Sequence, residues 1–171
     1  MKRIRTIVIP QDPSEKLRAV FSHKGLRLAT AESCTGGLVG ALVTATPGSS
    51  AVYAGGFVTY TNQMKIDLLG VDPAWIESYT EVSAPVATAM AQGARKRTGA
   101  DIAVSLTGLA GPGTGNEQTP VGTVYIGVST PARTYAVRYC MPSYLPRHEI
   151  RSRAALLSLT LAIREADQIH N

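Results

Sequence analysis

The stretch LRLATAESCTGGLVGALVTA, residues 26–45, joins a strand-like apolar run to a helix-like run through a turn that contains two glycines. The segment LRLATA is typical of a strand, and Pro47 and Gly48 would end the helix that follows. Ser33 or Thr35 is placed to cap that helix. A strand that leads directly into a helix is typical of layered α/β folds, and its helix start presents free backbone N–H groups to anions.

The rest of the chain continues this alternation. Periodicity, caps and turn residues predict helices over residues 14–25, around Lys65, over 84–99 and over 147–169, and strands over 55–60, 101–108, 123–129 and 134–140. The short gap between the last two strands, residues 130–133, indicates a hairpin. We therefore predict an α/β protein, a three-layer α/β/α sandwich with a mixed sheet.

Length and composition favour one domain. At 171 residues, 44% of them hydrophobic, the chain can bury one full core. We assign residues 14–171 to that domain and residues 1–13 to an N-terminal tail. The sequence contains no run of about 18 apolar residues and no signal peptide, which predicts a cytoplasmic protein without a membrane partner. Two cysteines are too few for a disulfide framework, and they lack the Cys/His spacing of a zinc site.

The charge balance favours an anionic partner. The net charge is +5, but the basic residues do not form a stripe interleaved with aromatic residues. A nucleic acid is therefore less favoured as a partner than a small anionic molecule. We interpret the run Arg95, Lys96 and Arg97 as a solvated helix end.

Two nucleophiles, Ser33 and Cys34, lie side by side in the turn after the first quoted strand. Adjacent residues leaving a strand point to opposite faces, so only one of them is expected to reach a given site. The histidines lack metal-ligand spacing, and we interpret His148, which a Ser-His-Asp triad would need, as a surface residue. Lys65 is the remaining base. One interpretation of Lys65 is a solvated lysine on a helix surface. The other is a buried lysine, whose pKa would be lowered by burial so that the amine becomes a proton acceptor.

A second strand exit, SLTGLAGPGTG at residues 105–115, is rich in glycine. Glycines let a ligand approach the backbone closely, although they also serve plain tight turns. The segment has no P-loop spacing, and it lacks the strand-turn-helix setting of a dinucleotide fingerprint. Both strand exits are therefore candidate ligand sites of unspecified chemistry.

Five ordered blocks between about Leu17 and Leu161, among them TAESCTGG, GSSAVYAGGFVTYTNQMK and DIAVSLTGLAGPGTGNEQTPVGTVYIGV, resemble the CinA C-terminal domain family. That family includes stand-alone nicotinamide mononucleotide deamidases. The resemblance implies a single amidohydrolase domain, in the stand-alone form, that converts nicotinamide mononucleotide to nicotinate mononucleotide and ammonia without a metal or cofactor. We also expect a homo-oligomer.

The resemblance further implies the site residues. Ser33 is the nucleophile, Lys65 is its base, and Tyr60 is the third catalytic residue. The resemblance places Ser50 and Thr107 in the lining of the site and Arg147 near the substrate's phosphate. The residues of the two strand exits complete the candidate substrate-binding set: Glu32, Thr35, Gly36, Gly37, Gly108 and Gly111. The resemblance selects Ser33 over Cys34, which becomes a packing residue. From the helix-start position alone, the backbone N–H groups of residues 35–37 are candidate donors to an oxyanion.

The roles of two residues stay open. Three roles are compatible with Glu32: orienting Lys65, holding the turn, or capping the helix. The approach to the last helix, CMPSYLPRHEIRSRAA, carries Pro142 and Pro146 where family members have a short glycine-containing turn. Displacement of Arg147 from the phosphate is therefore an alternative, although Arg147 and Arg151 keep the spacing that places them on one helix face.

Three other functions are compatible with the sequence. The first is a binding module without catalysis, associated with competence and DNA damage. The second is an amidase for another pyridine nucleotide, and the third is a catalytically silent homologue. Tight duplex binding without ammonia release would favour the first, whereas the presence of both Ser33 and Lys65 argues against the third.

Overall fold

The computed structural model describes residues 12–113 and 115–169. The helices are α1 Ser14–Lys24, α2 Leu38–Ala45, α3 Asn62–Leu69, α4 Pro73–Tyr79, α5 Ala84–Thr98 and α6 Arg147–Gln168. The strands are β1 Leu28–Glu32, β2 Tyr53–Val58, β3 Ile102–Gly108, β4 Thr123–Ser129 and β5 Thr134–Cys140, and a short 3₁₀ turn covers Ser49–Ala51. Within the described ranges, no helix combines the length and apolar character needed to cross a membrane.

The five strands form one mixed sheet in the order β2-β1-β3-β4-β5. β1 pairs in parallel with β2 and β3, and the β4–β5 hairpin continues the sheet in antiparallel pairing. Because β1, β2 and β3 are parallel, their carboxyl ends meet at one edge of the sheet, where ligands bind in open α/β sheets. The prediction of an α/β sandwich with a mixed sheet is confirmed.

The two faces of the sheet differ in side-chain size. One face is bulky, with Leu28, Val104 and Ile126 packed against a core shared with α1, α2 and α6. The other face carries small residues such as Ala29, Ala31 and Ala103, which pack with α3 and α5. Alternate residues of a strand point to opposite faces, so this difference follows directly from the sequence alternation. Small residues let the helices of the second layer approach the strands closely.

Most element predictions are confirmed. Gly25 and Gly99 end α1 and α5 in the left-handed conformation, as the sequence predicts. The prediction missed α4, which Asp72 caps and Pro73 begins. Ser83 occupies the N-cap position of α5, but its hydroxyl donates to the carbonyl of Thr80 instead of accepting from the helix.

The predicted N-terminal tail covers residues 1–13, and its residues 1–11 lie outside the described residues. At residues 12 and 13 the chain is ordered by its contacts with α1. The Asp12 carboxylate accepts a hydrogen bond from the Ser14 N–H, and the Pro13 carbonyl accepts one from the Leu17 N–H.

The placement of α3 is fixed at both ends. At its start, the Thr61 hydroxyl accepts a hydrogen bond from the Met64 N–H. At its end, Gly70 is left-handed, and the carbonyl of Leu69 packs against Gly93 of α5. A side chain at residue 93 would overlap that carbonyl, so a glycine is needed for this close approach.

Gly93→Ala is expected to destabilise the protein. The methyl group meets backbone atoms, which cannot rotate away, so overpacking outweighs the gain in helix propensity. We expect a loss of about 2 kcal/mol in the free energy of unfolding, measured by chemical denaturation. Gln92→Ala, at the exposed neighbouring residue, is the control and should change the stability little. Unchanged stability of Gly93→Ala would contradict the close packing of α3 on α5.

Candidate active site

A cavity of about 440 Å³ lies at the edge where β1, β2 and β3 end. Its volume falls within the usual range for small-molecule sites. The polar side chains that line it include Ser33, Tyr60, Lys65, Glu81, Thr107 and Arg147. They come from five separate segments of the chain, which the parallel strands and their following helices bring together.

Ser33 and Lys65 form the central contact of this cavity. The Nζ atom of Lys65 lies 3.3 Å from the Oγ atom of Ser33, within hydrogen-bonding range. The amine also donates to the carbonyl of Thr59, at 3.1 Å. Lys65 is only 1% exposed, which excludes the solvated helix lysine that the sequence allowed.

Burial makes the Lys65 amine a proton acceptor. Desolvation of the charged form lowers the pKa of Lys65, and the nearby Glu81 carboxylate partly opposes that effect. The neutral amine is therefore more accessible near neutral pH than it is for a solvated lysine. An amine in hydrogen-bond range of a serine hydroxyl can take the proton that must leave before the oxygen attacks.

The turn that carries Ser33 is held by the two charged side chains Glu32 and Arg151. The Glu32 carboxylate is buried and accepts from the N–H groups of Gly37, Val39 and Gly40, at 3.0, 3.0 and 2.9 Å. It therefore caps α2, and the predicted cap by Ser33 or Thr35 is wrong. A carboxylate at a helix start is favoured by the helix dipole as well as by these hydrogen bonds.

Arg151 holds the other side of the same turn. Its guanidinium donates to the carbonyls of Cys34 and Thr35, at 3.0 and 2.8 Å. The Ser33 N–H donates to the carbonyl of Leu106 in β3 at 2.9 Å. Hydrogen bonds to α2, α6 and β3 thus fix the backbone around Ser33.

Cys34 lies in the hydrophobic core and also contributes to the cavity wall. The expectation that only one of the two neighbours reaches the cavity is therefore wrong, because the turn does not keep the alternation of a strand. Burial raises the pKa of the Cys34 thiol to about 12, so it stays protonated at neutral pH. Cys34 packs like a small apolar residue, as the sequence predicts.

Arg147 lies at the rim of the cavity. Its guanidinium donates to the carbonyl of Gly111 at 2.6 Å and to the hydroxyl of Tyr60 at 3.3 Å. The two prolines therefore do not carry Arg147 away from the site. Pro146 instead precedes α6, and its carbonyl accepts from the N–H groups of Glu149 and Ile150.

The other sequence-predicted residues divide into two groups. Thr107, Gly108 and Gly111 line the cavity, and the buried Thr107 hydroxyl donates to the carbonyl of Glu81 at 2.7 Å. The residues that do not line it are Glu32, Thr35, Gly36, Gly37 and Ser50. Ser50 is exposed in the 3₁₀ turn, away from the cavity.

Existing hydrogen bonds reduce the number of N–H groups that are available as oxyanion donors. The Gly36 N–H donates to the Ser33 carbonyl at 3.1 Å, and the Gly37 N–H donates to Glu32. Of the three proposed donors, Thr35 alone has a backbone N–H without an acceptor among residues 12–113 and 115–169.

Sequence reasoning missed Glu81 and Asn62, which also line the cavity. Glu81 precedes the predicted helix at Ser83, and α5 packs against β1 and β3, which places its start near their ends.

The described residues contain no group of three or more His, Cys, Asp or Glu side chains that could hold a metal ion. The two reactive groups in contact at this cavity are the serine hydroxyl and the lysine amine.

Known proteins with similar sequences and folds carry related names. A "CinA-like protein" from Chlorobaculum tepidum is 49% identical over 151 residues, which cover 85% of this chain and 36% of that protein. A "CinA-like protein" from Mycolicibacterium paratuberculosis is 51% identical over 82% of this chain and 33% of that protein. The chain thus spans about a third of the length of the curated relatives that it matches.

Solved structures match over nearly their whole length. The competence/damage inducible protein CihA from Agrobacterium tumefaciens has a TM-score of 0.85 and 38% identity, with 93% of this chain and 98% of that chain covered. The CinA superfamily protein from Escherichia coli has a TM-score of 0.82 and 32% identity, with coverages of 96% and 99%. Residues 11–166 match the CinA C-terminal domain, and the chain belongs to that family.

Proposed function

We propose that this protein hydrolyses the carboxamide of nicotinamide mononucleotide to give nicotinate mononucleotide and ammonia. The observation that carries the proposal is the contact between the Ser33 hydroxyl and the buried Lys65 amine at the wall of a cavity of suitable size. A serine activated by a neutral amine suits acyl transfer from an amide, which is a weak electrophile. Membership of a family that the sequence resemblance links to this deamidase activity agrees with that chemistry.

The reaction proceeds in two halves. Lys65 takes the proton of the Ser33 hydroxyl as the oxygen attacks the carboxamide carbon, and the resulting ammonium group then protonates the departing nitrogen. Ammonia leaves, and an ester joins the nicotinoyl group to Ser33. Water, deprotonated by the same amine, attacks this ester and releases the carboxylate and the serine. Of the three candidate oxyanion donors, the Thr35 N–H alone has no other acceptor among the described residues; Thr35 follows the cavity-lining Cys34 but does not itself line the cavity.

The phosphate of the substrate is assigned to Arg147. A guanidinium has five N–H donors, and contacts with Gly111 and Tyr60 leave others to bind an anion at the rim. These contacts also orient the guanidinium before the ligand arrives, which reduces the entropy lost on binding. The glycine-rich segment after β3 lies against the same arginine, so the ribose phosphate would extend along it.

Ser33→Ala tests the nucleophile. Removing one oxygen barely alters the packing, but it removes the attacking atom, so ammonia release should fall by at least about 10³-fold. Cys34→Ala is the neighbouring control and should keep substantial activity, because its thiol is protonated and packed in the core. Ammonia release from nicotinamide mononucleotide, with and without a chelator, measures both. Retained activity in Ser33→Ala, with loss in Cys34→Ala, would show that the nucleophile is Cys34.

Lys65→Arg tests the base. A guanidinium keeps the positive charge but does not become neutral in the working pH range, so activity should collapse by about 10²-fold or more. In the wild type, kcat/KM should rise with pH as the Lys65 amine loses its proton, with a midpoint below the ordinary lysine pKa because burial lowers it. Lys96→Arg on the surface of α5 is the control. Near wild-type turnover in Lys65→Arg would leave Lys65 with an electrostatic role only.

Arg147→Ala tests the phosphate contact. Loss of a charge-assisted hydrogen bond should raise KM for the mononucleotide about tenfold. Turnover of nicotinamide riboside, which has no phosphate, should be low in the wild type and change little in the variant. Arg153→Ala is the control, because Arg153 pairs with Glu149 on the same helix and does not line the cavity. An equal proportional loss on both substrates would assign Arg147 to the fold or to the reacting centre.

A further inference from the structure

Glu81 is a carboxylate in the cavity wall that the proposed mechanism does not use. Among the described residues that line the cavity it is the one acidic side chain. It is exposed, and its carboxylate makes no hydrogen bond and no ion pair with any other described residue. Its backbone is nevertheless fixed, because its carbonyl accepts from the Thr107 hydroxyl at the end of β3. The Glu81 carboxylate, held on a fixed backbone and without a protein partner, is therefore available to a ligand.

The acidic and basic side chains of the cavity come from different elements of the fold. Glu81 precedes α5, whereas Arg147 begins α6 and already contacts Gly111 and Tyr60. The Lys65 amine is buried, and the Glu81 carboxylate acts electrostatically on it. A ligand with one positive and one negative group can therefore satisfy the carboxylate and the guanidinium at the same time.

We infer that the Glu81 carboxylate binds the cationic pyridinium ring of the substrate and so selects nicotinamide nucleotides over carboxamides with a neutral ring. This inference rests on the proposed function. The ring carries its positive charge within one bond of the sugar and lies beside the carboxamide that Ser33 attacks. A carboxylate in the wall that holds Ser33 and Lys65 is thus placed for the charged end of the substrate, and Arg147 for the phosphate end.

The same carboxylate connects binding with activation of the base. The titratable and charged groups that line the cavity with Lys65 are Glu81 before α5, Cys34 in the β1–α2 turn, Tyr60 after β2 and Arg147 at the start of α6. Of these, Glu81 and Cys34 act electrostatically on the Lys65 amine. Glu81 holds the pKa of Lys65 higher than burial alone would. A cationic ring next to Glu81 offsets the negative electrostatic field that this carboxylate exerts on Lys65, so binding of the correct substrate favours the neutral amine. A neutral ring would leave the field of Glu81 in place.

Binding to catalytically inactive protein separates charge recognition from turnover. The Kd values of nicotinamide mononucleotide and of its reduced form, whose dihydropyridine ring is neutral, are measured on Ser33→Ala and on Ser33→Ala/Glu81→Gln. We expect Glu81→Gln to weaken binding of the cationic form about fivefold at low salt and to leave the reduced form within about twofold. The difference should shrink as ionic strength rises. Glu77→Gln, on exposed α4 and outside the cavity lining, is the matched control and should affect neither ligand.

The pH profile gives a second readout that a purely structural role would not move. Removing the carboxylate in Glu81→Gln should lower the pKa of Lys65 in the free enzyme, so the rising limb of kcat/KM should shift to lower pH. Equal weakening of both ligands, no weakening of either, or an unmoved limb would overturn the role of Glu81, while ammonia release by the wild type would still support the proposed function. Absence of binding and of ammonia release in the wild type would overturn both.

Discussion

The buried amine of Lys65 is the constraint on which the rest of the site depends. A charged ammonium removed from water is costly, so the fold accommodates this side chain by favouring its neutral form and by supplying the Thr59 carbonyl as a hydrogen-bond acceptor. The same desolvation that costs stability increases the fraction of neutral amine that can accept a proton from Ser33. Stability and reactivity therefore oppose one another at this residue, as is common where a fold supports a functional group.

Glu32 shows the opposite solution for a buried ionisable group. Its carboxylate is as deeply buried as Lys65, but three backbone N–H groups at the start of α2 surround it. Hydrogen bonds to the charged form and the positive end of the helix compensate for lost hydration. One carboxylate thus makes the serine turn rigid, while the unpartnered carboxylate of Glu81 remains open to the cavity. The two acids differ in function because they differ in available donors.

The sequence predicts the fold well because local signals agree with the global arrangement. Glycines end α1 and α5, and the four-residue gap at residues 130–133 defines the hairpin. The cap of α2 could not be assigned to one residue from the sequence, because Ser33 and Thr35 have the preferred residue types and Glu32 was one alternative; the structure selects Glu32, at the preceding strand end. The pairing of Ser33 with Lys65 depends on the parallel order of β1 and β2, which no local pattern specifies, and the family resemblance supplied it. The role of Ser50 stays a prediction, because the resemblance specifies no geometry and the structure places this residue outside the cavity lining.

The first turns of α6 couple two parts of the site through the register of one helix. Arg147 reaches the cavity rim and Arg151 holds the Cys34 and Thr35 carbonyls, so one rigid element sets the distance between the turn that carries Ser33 and the rim of the cavity. Insertion or deletion of a single residue between them would rotate one arginine by about 100° relative to the other. A length change at this point would therefore prevent both contacts from forming together, whereas a change in the segment before Pro146 would not alter the separation of the two arginines.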